Sequence, residues 1–275
     1  MSCLICQHPQ LEDLFRGIRS CPACRFAQAD LSLTPAQWQN LYTTKYFFGE
    51  EYADYLSEEA PLRRNFRRNL AFMSRFCPSG KLLEIGCAYG FFLDEAQRNY
   101  TVTGVDIHAE GCAYAREHFN VNALTGDLLT MPLELASYDA IVMWDVLEHL
   151  PNPREFVARA QSLLKPGGTL FFATLDITSW LATFQGAHWR QIHPPTHVSY
   201  FSRKALNILL DTSGFDVLTT RYFGEYRSWD NTFYTLLVLH WHKSKLYEAL
   251  KQRSWIKGEY FLNTFDHIYV AARKR

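Results

Sequence analysis

The chain has 275 residues, 48% of them hydrophobic, and its 28 basic side chains are matched by 28 acidic ones. That balance argues against a duplex or tRNA substrate, which would call for a sustained basic face, and no uninterrupted apolar run is long enough to span a membrane. No secretory leader precedes the first cysteines, so a cytoplasmic protein is expected, large enough for a doubly wound sheet of roughly 200 residues and a small attachment.

In chain order the first feature is Cys3-Leu4-Ile5-Cys6, followed by Cys21-Pro22-Ala23-Cys24. Two C-x-x-C knuckles at this separation can converge as four thiolates around one tetrahedral zinc. A segment this short has too little apolar mass to fold alone, and a metal supplies the missing free energy. Disulfides are disfavoured in a reducing compartment, while the spacing alone does not exclude an iron–sulfur centre. His8 is a spare ligand that a complete four-sulfur shell does not need. The reading is a zinc-binding segment over residues 1–30, with Cys3, Cys6, Cys21 and Cys24 closing the shell and leaving no position for substrate.

Residues 31–78 read as a helical cap or linker. Leu33 to Tyr42 and Tyr52 to Glu59 carry helical character, and Asn65 to Phe76 gives a firmer helix with Phe66, Leu70 and Met73 on one side. Arg63-Arg64 and Arg67-Arg68 are expected on a solvated helix face. Tyr46 and Tyr52 belong to an aromatic packing seam or touch a ligand.

From residue 79 the pattern alternates strand and helix. Lys81 to Ile85 is apolar enough for a central strand, and Gly86 and Gly90 turn the backbone into a helix over Phe91 to Arg98. A second strand, Thr101 to Val105, ends at Asp106, where an acid can accept both hydroxyls of a ribose. Asn122 to Thr125 leads to Gly126-Asp127, Tyr138 to Trp144 leads to Asp145, and Thr169 to Thr174 follows the turn Lys165-Pro166-Gly167-Gly168.

Glu84-Ile85-Gly86-Cys87-Ala88-Tyr89-Gly90, Asp106, Gly126-Asp127, Asp145-Val146-Leu147-Glu148-His149 and Leu164-Lys165-Pro166-Gly167-Gly168 resemble the successive motifs of class I S-adenosylmethionine-dependent methyltransferases. Small-molecule enzymes such as those of ubiquinone biosynthesis are the nearest in kind. The resemblance runs well from Phe66 to Tyr222 and loosely from Asp266 to Lys274; it departs at Ala88, where the family often has glycine. It implies an α/β fold, a doubly wound seven-stranded Rossmann-like sheet over residues 79–275. It also implies that Gly86, Ala88 and Gly90 pass close to the amino-acid end of S-adenosylmethionine, with Glu84 fixing that turn or approaching the ligand ammonium through water. Asp106 would take the ribose hydroxyls with Ile107 beside the adenine. Asp127 would receive the adenine amine with Leu128 on the ring's other side. Asp145 joins this cofactor-binding set where donor and acceptor should meet.

His149 can remove a proton from the acceptor, with Glu148 orienting it, or it is a structural histidine at a helix start. Farther on, His193-Pro194-Pro195-Thr196-His197 lies in a stiff polar loop that resembles an acceptor-lining loop of such enzymes. His193 and His197 would bind the acceptor, carry its proton, or brace the loop. A metal on this pair is a rival reading, which the intervening prolines deny the helical geometry of H-E-x-x-H. Ser202 reads as the cap of a helix over Arg203 to Asp211, with Leu206, Leu209 and Leu210 packed.

Gly214 to Tyr222 supplies a sixth strand and Asp266 to Lys274 an antiparallel seventh. Residues 232–253 read as an inserted, aromatic-rich long helix that widens the acceptor pocket or forms a homodimer face. The whole describes a zinc-headed methyltransferase acting on the O, N or C of a small organic acceptor, without nucleic acid or membrane insertion. Two competing readings are an RNA or protein methyltransferase recruited through the head, and a non-catalytic interaction protein that retains the fold.

Overall fold

The computed structural model describes residues 2–31, 33–34, 37–38, 41, 47–48 and 53–275. Tyr46, Tyr52 and half of the helix expected from Leu33 to Tyr42 lie outside the described residues.

The head begins with three short antiparallel strands, β1 (Glu12–Phe15), β2 (Ile18–Ser20) and β3 (Ala27–Ala29). A helix then spans Glu59–Met73, with Pro61 in its first turn, where the missing N–H costs nothing. Of its arginines, Arg64 and Arg67 lie on the solvated face expected from sequence, whereas Arg63 does not. Arg63 bonds Glu59 at 2.6 Å, Asp94 at 2.7 Å and Glu95 at 3.0 Å, and Arg67 shares Glu95 at 2.7 Å. Arg68 donates to the carbonyl of Gly224 at 2.5 Å and lies over Phe261. Glu95 is buried, so the cations compensate its desolvation and tie this helix to the next one.

Five parallel strands follow: β4 (Gly80–Ile85), β5 (Tyr100–Asp106), β6 (Asn122–Thr125), β7 (Tyr138–Trp144) and β8 (Leu164–Leu175). Helices Phe91–Ala96, Ala109–Phe119 and Pro153–Leu163 make the crossovers. Next come β9 (Ser199–Tyr200), a helix at Arg203–Thr212 and β10 (Phe215–Tyr222). β11 (Glu225–Ser228) pairs with β12 (Glu259–Leu262), and β13 (His267–Lys274) enters antiparallel between β10 and β8. The main sheet therefore has the order β10-β13-β8-β7-β4-β5-β6. The chain moves outward one way through β5 and β6 and the other way through β7 and β8, which opens a crevice at the carboxyl ends of β4 and β7.

Alternation sets the two faces. Leu83 and Ile85 of β4 pack with Val157, Ala160, Leu163, Leu206 and Leu209, whereas Leu82 packs on the other face with Phe72, Phe92 and Leu93. The insertion is not one long helix. Trp229–Phe233 runs into a π-helical stretch at Tyr234–His240, the chain turns at His242 (φ 52°), and a separate helix covers Ser244–Gln252.

The head does not stand apart. β3 pairs with β9, Ala27 opposite Tyr200 and Gln28 opposite Ser199, so a strand from beyond the catalytic core completes its four-stranded sheet. Ser202 caps its helix by accepting from Ala205 N at 3.0 Å, and its hydroxyl donates to the carbonyl of Cys24 at 2.6 Å. Phe26 meets Phe201 with ring centroids 5.3 Å apart, and Cys3, Ile5 and Leu11 join the same core as the sheet.

Candidate active site

A cleft of about 570 Å³ opens at the switch point, within the range of small-molecule sites. One wall is built from strand ends. Gly86 and Gly90 both have φ 79°, and a Cβ on Gly86 would stand 2.6 Å from Val146 Cγ2, so only glycine lets the β4 turn meet the β7 turn. Ala88 holds φ 44°, a left-handed conformation that costs roughly 1 kcal/mol or more with a Cβ. A hydrogen bond compensates, because Ala88 N–H donates to Asp106 Oδ2 at 2.8 Å. The other Asp106 oxygen accepts from His108 N at 2.8 Å. Burial raises the Asp106 carboxyl, opposed by these two donors.

Glu84 is fully enclosed beneath the turn. Burial, with Asp106 nearby, pushes its carboxyl well above the usual range, and its Oε2 has no hydrogen-bond partner among the described residues. A buried oxygen of this kind lining a cleft is suited to a ligand donor or an ordered water. Asp127 Oδ1 accepts from Leu129 N at 2.9 Å, Leu128 is buried and Ile107 is exposed; all three line the cleft with Gly126. Every residue expected at the donor side except Gly90 lines the cleft, and Gly90 instead lets helix Ala109–Phe119 close in, its absent Cβ 2.5 Å from Ala115 Cβ.

The opposite wall collects histidines from separated turns. His149 Nδ1 lies 2.9 Å from the carbonyl of Thr196, and His197 Nδ1 lies 3.1 Å from the carbonyl of Gln191. A carbonyl only accepts, so both Nδ1 atoms carry the proton. Thr196 spends its hydroxyl proton on the carbonyl of His193, so His193 Nδ1, 2.6 Å from that oxygen, is also a donor. In the neutral state each ring therefore has its lone pair on Nε2. The rings meet in series, His149 edge-on to His197 at 4.7 Å and His193 tilted against His197 at 3.9 Å between centroids. Burial, then the neighbouring His193 and His149, hold His197 well below the usual imidazole range, so it is neutral. Beneath them Glu148 accepts from Thr174 at 2.8 Å, and burial, reinforced by Asp145, raises its carboxyl to about 8. Glu148, His149 and His197 bring ligand atoms within 4.8 Å of one another, a spacing that also admits a cation. His193 and His197, the pair considered from sequence for a metal, do not form such a set by themselves.

Asp145 points elsewhere. It has φ 54°, and its Oδ1 lies 2.5 Å from Nε2 of His267, whose Nδ1 lies 2.9 Å from Glu225. Neither His267 nor Glu225 stood out in the sequence. His267 looks like the first residue of an edge-proximal strand, and no local motif marks it as facing the cleft.

In the head, Cys3 and Cys24 sulfurs are 3.6 Å apart, Cys6 and Cys21 are 3.4 Å apart, and all four lie within 4.8 Å of one another. Tetrahedral metal–thiolate bonds require sulfur separations of about 3.8 Å, so the donor set fits a single metal.

Comparison with known proteins agrees with this geometry. A family model described as a methyltransferase domain matches residues 56–220. The ubiquinone biosynthesis O-methyltransferase of Cronobacter sakazakii is 34% identical over 128 residues, 42% of this chain and 53% of that protein. Its Escherichia coli K12 counterpart is 32% identical over the same length. The chain thus spans about half the length of the curated relatives it matches. Among solved structures, an S-adenosylmethionine-dependent methyltransferase from Mesorhizobium loti superposes with a TM-score of 0.52 at 16% identity, covering 75% of this chain and 96% of that one. Geranyl diphosphate C-methyltransferase from Streptomyces coelicolor A3(2), solved with S-adenosyl-L-homocysteine, gives 0.50 at 13% identity and 76% of each chain. At such identities these likenesses speak for the fold.

Proposed function

We propose that this chain, which belongs to the methyltransferase-domain family, transfers a methyl group from S-adenosylmethionine to a small organic acceptor and carries a structural zinc in its head. When bound, S-adenosylmethionine supplies a methyl carbon already activated by a positive sulfur. The observation that carries the reading is that one cleft is lined both by a glycine turn tied to Asp106 and by His149 and His197, whose Nδ1 protons are fixed.

The residues divide the work. The turn from Gly86 to Ala88 and the orphaned Glu84 oxygen receive the amino-acid end of the donor; Asp106 receives the ribose, and Asp127, Ile107 and Leu128 the adenine. His149 and His197 line the acceptor side, with the His193 ring against His197. The acceptor attacks the methyl carbon in line, the carbon–sulfur bond breaks with its electron pair going to sulfur, and the acceptor proton passes to an imidazole Nε2. His149 is the base we favour, since it follows directly from the β7 turn and His197 is held far below the ordinary imidazole range. The four thiolates of the head form a closed shell, which suits a structural zinc.

Incubating the protein with a cell extract and isotopically labelled methyl donor tests the reading. Label should enter a low-mass product and fall sharply with His149→Ala. Label confined to protein or RNA would replace the small-molecule reading.

A further inference from the structure

The cluster of Asp145, His267 and Glu225 has no part in the division of labour above, and it lines the same cleft. Its three members come from the end of β7, the start of β13 and the start of β11. His267 Nε2 is 2.5 Å from Asp145 Oδ1, and Nδ1 is 2.9 Å from Glu225 Oε1, which also accepts from the Tyr269 hydroxyl at 3.2 Å. Carboxylates on both ring nitrogens require a proton on each. The ring is therefore an imidazolium, and Arg227, 3.5 Å from Glu225 Oε2, offsets the second carboxylate, so the negative charge the group turns toward the cleft is that of Asp145 itself.

That charge is shown to the cleft at one point. The His267 side chain is 7% exposed, whereas that of Asp145 is 50% exposed. A buried triad serving packing alone has no need to hold its exposed member in a left-handed backbone at φ 54°, which is a cost for any residue with a Cβ. The position is also specific. Val146, the next residue, fills the space against Gly86, and Glu148 and His149 follow within one turn. Asp145 thus stands on the seam between the donor turn and the histidines, where anything passed from one wall to the other must lie.

We propose that Asp145, anchored by His267 and Glu225, is the site that reads the positive sulfonium of the methyl donor, with His267 acting as its positioning residue; this rests on the methyl-donor reading above. The donor is cationic at sulfur and the spent donor, a thioether, is neutral. An anchored anion at the seam therefore holds the donor more tightly than the product. Because positive charge leaves sulfur as the methyl departs, the site favours the ground state over the transition state. Its use is discrimination and product release, not acceleration.

Titration calorimetry on the full chain with S-adenosylmethionine and, separately, S-adenosylhomocysteine decides the matter. Asp145→Asn keeps the volume and a hydrogen bond to His267. It should weaken S-adenosylmethionine roughly tenfold while changing S-adenosylhomocysteine less than about twofold, as expected for one charge interaction at a half-exposed site. His267→Gln should move the same ratio in the same direction by a smaller factor. Should that variant fail to fold, nitrogen-15 spectra of the parent replace it: His267 must show both ring nitrogens protonated, and a neutral ring overturns the proposal. Equal weakening of both ligands by Asp145→Asn would make the cluster structural only and also overturn it. Binding of neither ligand to the parent protein would instead remove the donor reading, and this proposal with it.

Discussion

On the donor wall, Gly86, Ala88, Asp106 and Asp127 each occupy the end of a strand or the turn just beyond it, and β4, β5 and β6 are neighbours in sequence and in space. On the acceptor wall, His149 is braced by Thr196 and His197 by Gln191, and Val198 donates to the carbonyl of Glu148 while its own carbonyl accepts from Ala29 in the head. One wall follows from a repeated local unit. The other is assembled from three segments that meet only in the folded chain. Local construction makes the first robust to events elsewhere; the second inherits the condition of everything it leans on, the cysteine head included.

Removing the metal should break the comparison most strongly. Structural zinc contributes on the order of 10 kcal/mol in small metal-dependent folds. Elemental analysis should find one metal per parent chain and none in Cys24→Ser. Hydrogen exchange should then speed up both in residues 2–31 and across Val198 to Ser202, because the carbonyl of Cys24 and the edge of β3 hold that segment. Donor affinity should stay within about threefold, since the donor wall is built on β4, β5 and β6 and their turns. Unchanged protection at Val198 to Ser202 would show that the walls do not differ in this way.

His149→Ala comes next. Single-turnover transfer should fall by roughly a hundredfold, with donor affinity nearly unchanged, if the histidine takes the proton. A large loss confined to His193→Ala or His197→Ala would keep the wall and move the base within it.

Asp106→Ala attacks the other side. The loss of a charged hydrogen-bonding group should cost about 2 kcal/mol of donor binding, roughly thirtyfold in affinity, and calorimetry reads it directly. Part of the cost arises in the protein, since Ala88 N–H and His108 N–H lose their acceptor and Ala88 loses the bond that compensates its left-handed backbone. Equal affinities would detach Asp106 from the donor.

The smallest effect concerns pH. Burial keeps the Glu148 carboxyl protonated up to about 8, against an ordinary 4.5 when unfolded. Between those values the folded chain holds the proton more firmly than the unfolded one, so this group's contribution to stability declines as pH rises through the window. Glu148→Gln should therefore be close to the parent near pH 5, gain on it as pH rises through the window, and flatten the alkaline side of the stability curve, measured by denaturant melts at about pH 5 and about pH 9. A parallel curve would place the carboxyl in its ordinary range.

How much was legible in the sequence follows the same division. The β4 turn and the acids after β5 and β6 repeat a strand–turn pattern whose residues lie together in the chain, so strand order alone brings them to one edge. The four cysteines were legible for a similar reason, since their spacing already describes a metal shell. Ala88 was legible as a departure, but its left-handed backbone and its bond to Asp106 were not, because they depend on the neighbouring strand. His267 and Glu225 escaped entirely: each has an ordinary local setting, and only the entry of β13 between β8 and β10 carries His267 to Asp145. Arg63 alone of the exposed-face candidates Arg63, Arg64 and Arg67 was misplaced, because the buried Glu95 that recruits it lies in another helix. The expected long helix after Thr232 fails at His242, where a positive φ turns the chain and no glycine or proline announces it.

The pairing of β3 with β9 also sets an order in time. Both cysteine knuckles leave the ribosome before the five parallel strands of the main sheet, and Ser199 and Tyr200 arrive only after those strands have been made. The first hairpin, and any metal the cysteines take up, can therefore precede docking by the synthesis of the whole parallel sheet. Throughout that interval β3 has an unpaired edge and Phe26 lacks its partner Phe201, a combination that invites pairing with another nascent chain. The exposure ends when the histidine-bearing loop brings β9 into place, so the last step in completing the head is also the step that completes the acceptor wall. Nascent chains halted before Ser199 should bind the metal yet remain open to protease near Phe26, and chains extended past Thr212 should be protected there.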